Sequence, residues 1–437
     1  MEGIMKEIKR FEELESNVRS YCRSFPTVFT KAKNAKLIDL DGKEYIDFFA
    51  GAGALNYGHN NDYIKKAVLE YIEKDGVMHG LDMYTQAKYE FIDTFEEKIL
   101  KPRKLDYKIQ FCGSTGTNAV EAAMKLARKV KKRTNIIAFM GGFHGMTMGS
   151  LAATGGLESR AGAGVPLGNV TFVPYPSHEF EDINTLSYLR RILTDDHSGI
   201  DKPAAVILET TQAEGGINVA PSEWLRELSM ICKENDMLLI CDDIQVGCGR
   251  TGSFFSFERA GIKPDMVTLS KSISGYGVPM SILLIKPELD IWAPGEHNGT
   301  FRGNQMAFVA AKAAIEYREA NDLEGQVHKK EQIIKNYIRH EILPMNQNLV
   351  MRGIGLIWGI DCEKYGGGAF AKQISQGCFK KGLILERAGR EDCVVKIMPP
   401  LTVGMEELEQ GLKIVKDVFQ ECIAKYEAET KNLQKAI

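Results

Sequence analysis

Short apolar runs alternate with amphipathic helical patterns through the middle of the chain. Runs rich in branched apolar side chains are typical of buried strands, whereas apolar residues spaced three and four apart predict helices, as in 120–132 and 223–236. This alternation is typical of βαβ units, and it predicts an α/β fold with a parallel sheet. The predicted strands cover 109–111, 136–140, 170–174, 204–208, 237–241, 265–271 and 281–286.

The two ends of the chain follow other patterns. Residues 1 to about 30 predict a polar helix and then an extended segment at 20–26, because Pro26 restricts the residue before it. A hairpin is predicted over 35–49, and the stretch 50–59 is too rich in glycine for a regular element. From Gln305 to about Gln347 the pattern predicts long helices with charged faces, with a domain change near residue 320. A small α+β unit follows. Its predicted elements are strand 350–361, helix 369–381, strands near Leu383 and Val394, and helix 405–428.

Composition narrows the class of protein. Hydrophobic residues make up 44% and charged residues 26% of 437 residues, which is ordinary for a globular protein. A net charge of −3 offers no basic face for nucleic acid, and no run reaches membrane-spanning length. The nine cysteines form no CxxC pair and the eight histidines show no metal-ligand spacing. We therefore predict a cytoplasmic protein with reduced thiols, no metal, and neither nucleic acid nor membrane as partner.

A lysine and an aspartate end two of the predicted strands. Lys271 closes the run that begins at Asp265, and Asp242 closes the run that begins at Met237. In open α/β sheets ligands bind at the carboxyl ends of the strands, so these two side chains are expected side by side at a cleft. An amine and a carboxylate suit pyridoxal phosphate, which forms a Schiff base and needs an anion at its ring nitrogen. The alternative is an ordinary strand-end lysine and a helix-capping aspartate.

Small and aromatic residues supply further candidates. Thr115, Gly116 and Thr117 open a strongly amphipathic helix, where free amide groups and the positive end of the dipole suit a phosphate monoester. Threonine is also a common helix cap, so a structural interpretation stays open. Phe143 lies between glycines at a strand end, where it either stacks on a planar ring or belongs to the core.

Two acidic residues lie on the glycine-bearing loop after strand 204–208. Glu209 and Glu214 either orient an amine substrate, pair with a basic residue or are simply solvated. Their position next to the predicted cleft keeps all three interpretations open.

Taken together, these motifs make the chain resemble the class III aminotransferases, which are pyridoxal phosphate enzymes of fold type I. The resemblance covers roughly residues 30–425 and implies a large domain with a mostly parallel seven-stranded sheet between helices, plus a small α+β domain. It divides the chain into 1–60, which packs with the small domain, 61–320, which binds the cofactor, and 321–437. The motifs that carry it are LICDDIQVGCGRTG at 239–252, PDMVTLSK at 264–271 and TFRGN at 300–304.

The resemblance implies a role for each matching residue. Lys271 would bind the aldehyde of pyridoxal 5'-phosphate and then move the substrate proton, and Asp242 would hold the pyridine nitrogen protonated. Gln245 would bind the ring hydroxyl and Phe143 would stack on the ring. Asn118 stands where the family usually has glutamate. Further implied cofactor contacts are Thr115, Gly116, Thr117, His144 and, from the neighbouring subunit of a homodimer or dimer of dimers, Thr300.

Within the family, residues 20–26, 48–59 and 79–83 look most like the 2,4-diaminobutyrate aminotransferases of ectoine biosynthesis. These interconvert L-2,4-diaminobutyrate and 2-oxoglutarate with L-aspartate 4-semialdehyde and L-glutamate. Most members that use 2-oxoglutarate have an arginine where this chain has Lys396. The implied substrate contacts are Glu214, Lys396, Leu55 and Glu209.

Other functions remain open at this point. An aminotransferase for another terminal amine, such as ornithine, lysine, 4-aminobutyrate or putrescine, would share the same motifs. A racemase or epimerase on the same fold would need no second oxo acid, and a non-catalytic relative would need neither Lys271 nor Asp242. Lys396 itself is alternatively a solvated residue of a small-domain strand.

Overall fold

A computed structural model describes residues 2–435, with side chains described for residue 4 and residues 6–429. The strands of this part form one seven-stranded sheet, two four-stranded sheets and a two-stranded ribbon. In chain order they are β1 (Phe29–Lys33), β2 (Lys36–Asp39), β3 (Glu44–Asp47), β4 (Lys108–Phe111), β5 (Ile136–Phe139), β6 (Val170–Val173), β7 (Ala205–Leu208), β8 (Thr211–Gln212), β9 (Asn218–Val219), β10 (Leu238–Asp242), β11 (Met266–Leu269), β12 (Ile282–Ile285), β13 (Val350–Ile354), β14 (Ile357–Asp361), β15 (Leu383–Ile384), β16 (Glu386–Ala388) and β17 (Val394–Ile397).

Helices connect most of these strands. Within the described range, no helix combines the length and the apolar character needed to cross a membrane. The helices are α1 (Glu2–Leu14), α2 (Tyr21–Ser24), α3 (Ala50–Gly53), α4 (Asp62–Glu73), α5 (Gln86–Phe95), α6 (Gly116–Lys131), α7 (Met148–Ala152), α8 (Leu157–Ala161), α9 (Thr185–Thr194), α10 (Ser222–Glu234), α11 (Gln305–Ala320), α12 (Leu323–Tyr337), α13 (Gly367–Lys380) and α14 (Met405–Lys435).

The seven-stranded sheet confirms the predicted α/β fold. Its order is β4-β12-β11-β10-β7-β5-β6, and β12 alone runs antiparallel to its neighbours. The inner strands β5, β7, β10, β11 and β12 are buried along their whole length. Because helices cover both faces of a parallel sheet, such strands are continuous apolar runs, and this made them visible in the sequence.

Alternate residues of each strand pack into two separate cores. Ile137 and Leu239 contact the cluster that holds residues of α5 and α10, whereas Ile136 and Ile240 contact the cluster built on α6. Successive side chains of a strand point to opposite faces, so one run of sequence serves both cores. Each isoleucine or leucine buried in this way stabilises the fold by about 1.5–3 kcal/mol.

The amino-terminal segment and the carboxyl-terminal third share one core. β3 pairs in parallel with β15, with Ile46 opposite Leu383, and Phe48 lies in the same apolar cluster as residues of α13 and α14. The sheet β13-β14-β17-β16 completes this part of the fold. The two ends of the chain therefore come together in one core, and the boundaries predicted at residues 60 and 320 stay predictions.

Several predicted elements differ from the structure. The single strand predicted over 350–361 is a hairpin of β13 and β14 that turns at Gly355, which has a φ of 56°. The extended segment predicted over 20–26 contains the helical turn α2. The hydrophobic pattern of the sequence showed neither feature, because a turn at one glycine and a four-residue helix are both shorter than the windows in which periodicity is recognised.

Candidate active site

The predicted strand ends lie next to each other. β10 and β11 are parallel neighbours, with Asp242 opposite Thr268. Lys271 follows β11 in a tight turn at a φ of 48°, a left-handed conformation that is uncommon for a side-chain-bearing residue. Such strain clusters at functional sites, because the surrounding structure must hold it in place.

The glycine-rich segment after β3 closes over this lysine. The Lys271 Nζ donates to the carbonyl of Ala52 at 2.8 Å, and Ala52 itself has a φ of 54°. The Ser272 hydroxyl donates to the carbonyl of Gly53 at 2.6 Å and accepts from the backbone N–H of Asn56 at 3.1 Å. The segment is therefore hydrogen-bonded both to Lys271 and to the residue that follows it.

Burial controls the charge of the lysine. Burial lowers the pKa of Lys271, and the nearby Glu214 carboxylate opposes that shift in part. A lowered pKa enlarges the fraction of neutral amine, which is the nucleophilic and proton-accepting form.

Asp242 is held by three partners. Its Oδ2 lies 2.7 Å from Nδ1 of His144, and its Oδ1 accepts from the hydroxyl of Thr268 at 3.0 Å and the N–H of Ile244 at 3.2 Å. Although burial opposes the shift, the hydrogen bond to Asp242 raises the pKa of His144. The Nε2 of His144 is buried and has no hydrogen-bond partner among the described residues. This network fixes the direction in which the carboxylate faces.

Phe143 is not a core residue, since 36% of it is exposed. Glu209 anchors the loop that carries Phe143. Its two carboxylate oxygens accept from the backbone N–H groups of Phe143 (2.9 Å) and Ala213 (3.2 Å). Burial raises the pKa of Glu209 to about 7. Because both oxygens already accept backbone hydrogen bonds, the geometry favours a positioning role for Glu209, and its predicted substrate contact stays untested.

The predicted phosphate loop forms the amino terminus of α6. The helix begins at Gly116, earlier than the predicted 120–132, and Asn118 Oδ1 accepts from both the N–H (3.2 Å) and the hydroxyl (3.0 Å) of Thr115. A Cβ on Gly116 would lie 2.8 Å from Ile244 Cδ1, so a larger residue there would require the Ile244 side chain to shift. The Thr117 hydroxyl contacts the Thr147 hydroxyl at 2.7 Å. Asn118 thus serves as a cap, which explains how the chain does without glutamate at that position.

A buried ion pair lies beside Lys271. Gln245 Nε2 donates to the carbonyl of Ala52 at 2.8 Å and to Glu214 Oε1 at 3.0 Å, and Lys396 Nζ donates to the same Glu214 oxygen at 2.8 Å. Lys396 is completely buried, which excludes the alternative of a solvated strand residue. Although burial opposes it, the charge of Lys396 lowers the pKa of Glu214 to about 2, and the carboxylates raise that of Lys396.

Sequence reasoning misses one member of this cluster. Glu386 lies on β16 directly opposite Lys396 on β17, and its Oε2 is 2.8 Å from Lys396 Nζ. The two residues are ten positions apart in strands too short to show a period, so no local pattern predicts the pair. Only the register of the two strands reveals it.

Two other predicted site residues lie at the edges of this region. Leu55 approaches the turn after Lys271, since a Cβ on Gly277 would lie 3.2 Å from Leu55 Cδ2. Thr300 is exposed, and the neighbouring Phe301 is 71% exposed with its ring 5.3 Å from that of His79. The predicted contact of Thr300 with a second subunit stays a prediction.

The family model for class III aminotransferases matches residues 19–419. Among curated relatives, the diaminobutyrate–2-oxoglutarate transaminase of Halalkalibacterium halodurans is 53% identical and covers 97% of each chain. The enzyme of that name from Vibrio parahaemolyticus is 53% identical over 95% of this chain and 98% of the relative, and that from Bordetella parapertussis is 52% identical over 94% of each.

Solved structures share the fold at much lower identity. The ornithine aminotransferase of Toxoplasma gondii superposes with a TM-score of 0.82 at 22% identity, covering 96% of this chain and 95% of that one. A transaminase from the marine bacterium Virgibacillus gives a TM-score of 0.86 at 17% identity, covering 96% and 99%. At these identities the likeness shows the fold alone.

Proposed function

The chain belongs to the class III aminotransferases, and from this premise we propose that it interconverts L-2,4-diaminobutyrate and 2-oxoglutarate with L-aspartate 4-semialdehyde and L-glutamate. The observation that carries the proposal is the buried pair of Lys396 and Glu214 beside Lys271. A site that accepts both a dicarboxylate and a diamino acid needs a positive charge that binds the second carboxylate of one substrate and is neutralised when the other is bound. Glu214 can neutralise Lys396 in this way. The names of the relatives at 52–53% identity support the same reaction.

The residues of the site fit pyridoxal 5'-phosphate as the cofactor. Lys271 offers the amine, Asp242 the anion, and the helix terminus at Gly116 the free amide groups. Two buried polar atoms without a partner in the described part of the chain, Gln245 Oε1 and His144 Nε2, lie among these groups and are suited to further polar contacts. When bound, the cofactor supplies a conjugated ring that accepts electrons from the substrate carbon.

Lys271 and Asp242 then have separate tasks. The Nζ of Lys271 takes the proton from the substrate carbon and returns it at the end of the transfer, and its lowered pKa favours the neutral amine that this task needs. Asp242, oriented by His144 and Thr268, would hold a proton on the ring nitrogen. Gln245 would bind the ring hydroxyl, and Phe143, on the loop that Glu209 supports, would stack on the ring.

Lys396 and Glu214 select between the two substrates. With diaminobutyrate bound, they stay paired and Glu214 neutralises the lysine. With glutamate or 2-oxoglutarate bound, Lys396 leaves Glu214 and binds the substrate carboxylate. A lysine gives one compact charge and cannot form the two-pronged contact of an arginine, so recognition here depends on charge more than on planar geometry.

Lys396→Ala is expected to raise the Michaelis constant for 2-oxoglutarate about tenfold or more, and that for diaminobutyrate much less. A charge-assisted hydrogen bond contributes about 1.5–3 kcal/mol, and about 1.4 kcal/mol corresponds to tenfold in affinity. Steady-state kinetics with each substrate varied in turn measure the difference. Lys381→Ala, which breaks an exposed pair with Glu421, is the matched control. Equal changes for both substrates would show that the carboxylate is recognised elsewhere.

The reaction itself is tested with the purified protein and added pyridoxal phosphate. Glutamate is expected to accumulate from diaminobutyrate and 2-oxoglutarate, faster than from ornithine, lysine, 4-aminobutyrate or putrescine. A racemase or epimerase would change the optical rotation of its substrate and leave glutamate constant. Preference for another terminal amine would refute diaminobutyrate as the substrate but would still support transamination as the reaction.

We also propose a homodimer, or a dimer of dimers, with Thr300 reaching the phosphate bound at Gly116 of the partner subunit. The surface near Thr300 supports this proposal, because Phe301 is 71% and Tyr84 102% exposed, and Met83 is 57% exposed. Clustered exposed apolar side chains mark interaction sites.

Mixing two inactive chains tests the shared site. A Lys271→Ala chain and a Thr300→Asp chain are each expected to be weak alone, since the first lacks the amine and the second repels the phosphate. After subunit exchange, each mixed dimer regains one site with all its groups, so about a quarter of the wild-type activity should return. No recovery despite exchange proven by differently tagged chains would refute the shared site.

A cytoplasmic location is part of the proposal. All nine cysteines are free thiols and seven of them are buried, which is typical of a reducing compartment. The pathway proposed is ectoine biosynthesis, and genes for an acetyltransferase and a cyclising synthase beside this one would support it.

A further inference from the structure

Glu386 has no part in the reaction described so far, although it contacts Lys396 as closely as Glu214 does. Both carboxylates lie 2.8 Å from Lys396 Nζ. Lys396 is completely buried, whereas 14% of the Glu386 side chain and 30% of the Glu214 side chain are exposed. The accessible part of the cluster therefore consists of carboxylates, and a ligand that enters meets negative charge first.

Glu386 is the less stabilised of the two carboxylates. Glu214 and Glu386 both contact the ammonium group of Lys396, at 2.8 Å each. Burial and the nearby Glu214 charge raise the pKa of Glu386, whereas the pKa of Glu214, although burial opposes the shift, is lowered by the charge of Lys396. A second positive group beside Glu386 would therefore stabilise its charge in this buried site.

Diaminobutyrate carries an ammonium group that a carboxylate of the cluster can bind. When its terminal amine reacts at Lys271, the α-ammonium group remains unreacted at the other end of the molecule, next to the α-carboxylate. Glutamate and 2-oxoglutarate bring a second carboxylate instead. Only diaminobutyrate thus brings an ammonium group to the cluster.

Tyr21 places a hydroxyl group near Glu386. Burial together with the Glu386 charge raises the pKa of Tyr21 to about 12. The hydroxyl is therefore a neutral potential donor near neutral pH. Tyr21 begins the helical turn α2, so the amino-terminal segment brings this group close to the carboxylate on β16.

We propose that Glu386 binds the unreacted α-ammonium group of diaminobutyrate and selects this substrate over amines that lack the group. The proposal rests on the function proposed above and adds a residue to it. Lys396 has two carboxylate partners, and each substrate releases one of them. Diaminobutyrate takes Glu386 and leaves Lys396 on Glu214, whereas 2-oxoglutarate takes Lys396 from Glu214 and leaves it on Glu386.

The test compares the two half-reactions of Glu386→Gln holoenzyme by single-turnover absorbance measurements. The quantity measured is the rate constant of each half-reaction divided by the dissociation constant of its substrate. It is expected to fall about tenfold or more for diaminobutyrate, which corresponds to about 1.4 kcal/mol. For glutamate it should change less than about threefold. With 4-aminobutyrate, which has no α-ammonium group, no loss is expected. Tyr21→Phe should show a smaller loss with the same selectivity.

Controls separate this proposal from a structural role. Glu421→Gln removes an exposed carboxylate paired with Lys381 and should leave all rates unchanged. Thermal melting and cofactor titration show whether each variant folds. If Glu386→Gln does not fold, Glu386→Asp, which keeps the charge but shortens the side chain, takes its place. Equal losses for diaminobutyrate and glutamate, or no loss for diaminobutyrate, would overturn the role of Glu386. If the wild-type protein does not prefer diaminobutyrate, the proposed function fails first and this inference fails with it.

Discussion

Lys271→Ala is expected to reduce transamination by about a thousandfold or more while the fold stays intact. In the proposed mechanism the lysine serves both as the covalent attachment and as the proton carrier, and a positioned acid–base group alone contributes about 10²–10⁴-fold to a rate. Within the described residues its side chain donates only to the carbonyl of Ala52, so removing the amine breaks one hydrogen bond and takes one positive charge from beside Glu214.

The measurement is the turnover of glutamate formation, with melting temperature as the check on folding. Lys286→Ala is the matched control. Lys286 also follows a strand of the central sheet, but this strand, β12, is antiparallel to β11, so Lys286 pairs with Asp265 at the edge of the sheet opposite to that of Lys271. Borohydride treatment of the wild-type holoenzyme should attach the cofactor to the peptide that contains Lys271. Near-normal turnover of the alanine variant, or attachment to another lysine, would contradict the mechanism.

Asp242→Asn is expected to lower turnover about a hundredfold or more, with a much smaller effect on cofactor affinity. An amide can still bond the ring nitrogen but does not favour its protonated form. The hundredfold loss corresponds to about 2.7 kcal/mol of transition-state stabilisation. The bond between Asp242 and His144 makes the change informative, because His144 loses the carboxylate that raises its pKa.

Turnover and the cofactor dissociation constant are measured on the same preparation. Asp265→Asn serves as the control, since this aspartate lies just before β11 and pairs with Lys286. A loss of less than threefold would show that the acidic strand end has another role. A parallel loss of cofactor affinity would instead indicate that Asp242 acts mainly in binding.

The central sheet and its cleft were predictable because their causes are local. Buried strands are continuous apolar runs, and parallel strands place their carboxyl ends at one edge, so the sequence alone predicts that Lys271 and Asp242 are neighbours. The cap at Thr115 also follows from residues close in sequence.

Contacts between distant segments were not predictable in this way. The carbonyl of Ala52 meets Lys271 only because α3 adopts left-handed φ values at Gly51 and Ala52, and no sequence period encodes that turn. Glu386 faces Lys396 through the register of two short strands. In both cases the decisive fact is which strand or turn packs against which, and this is settled by the whole fold.

The pairing of β3 with β15 has a consequence for biosynthesis on the ribosome. The segment that covers Lys271 is among the first to be translated, yet the N–H of Phe48 donates to Ile384 and the carbonyl of Phe48 accepts from Met398, both at the far end of the chain. Contacts between residues so far apart form late, because the intervening chain must be made and ordered first. The hydrogen bonds that anchor the segment covering Lys271 can therefore form only after residue 398 has been synthesised.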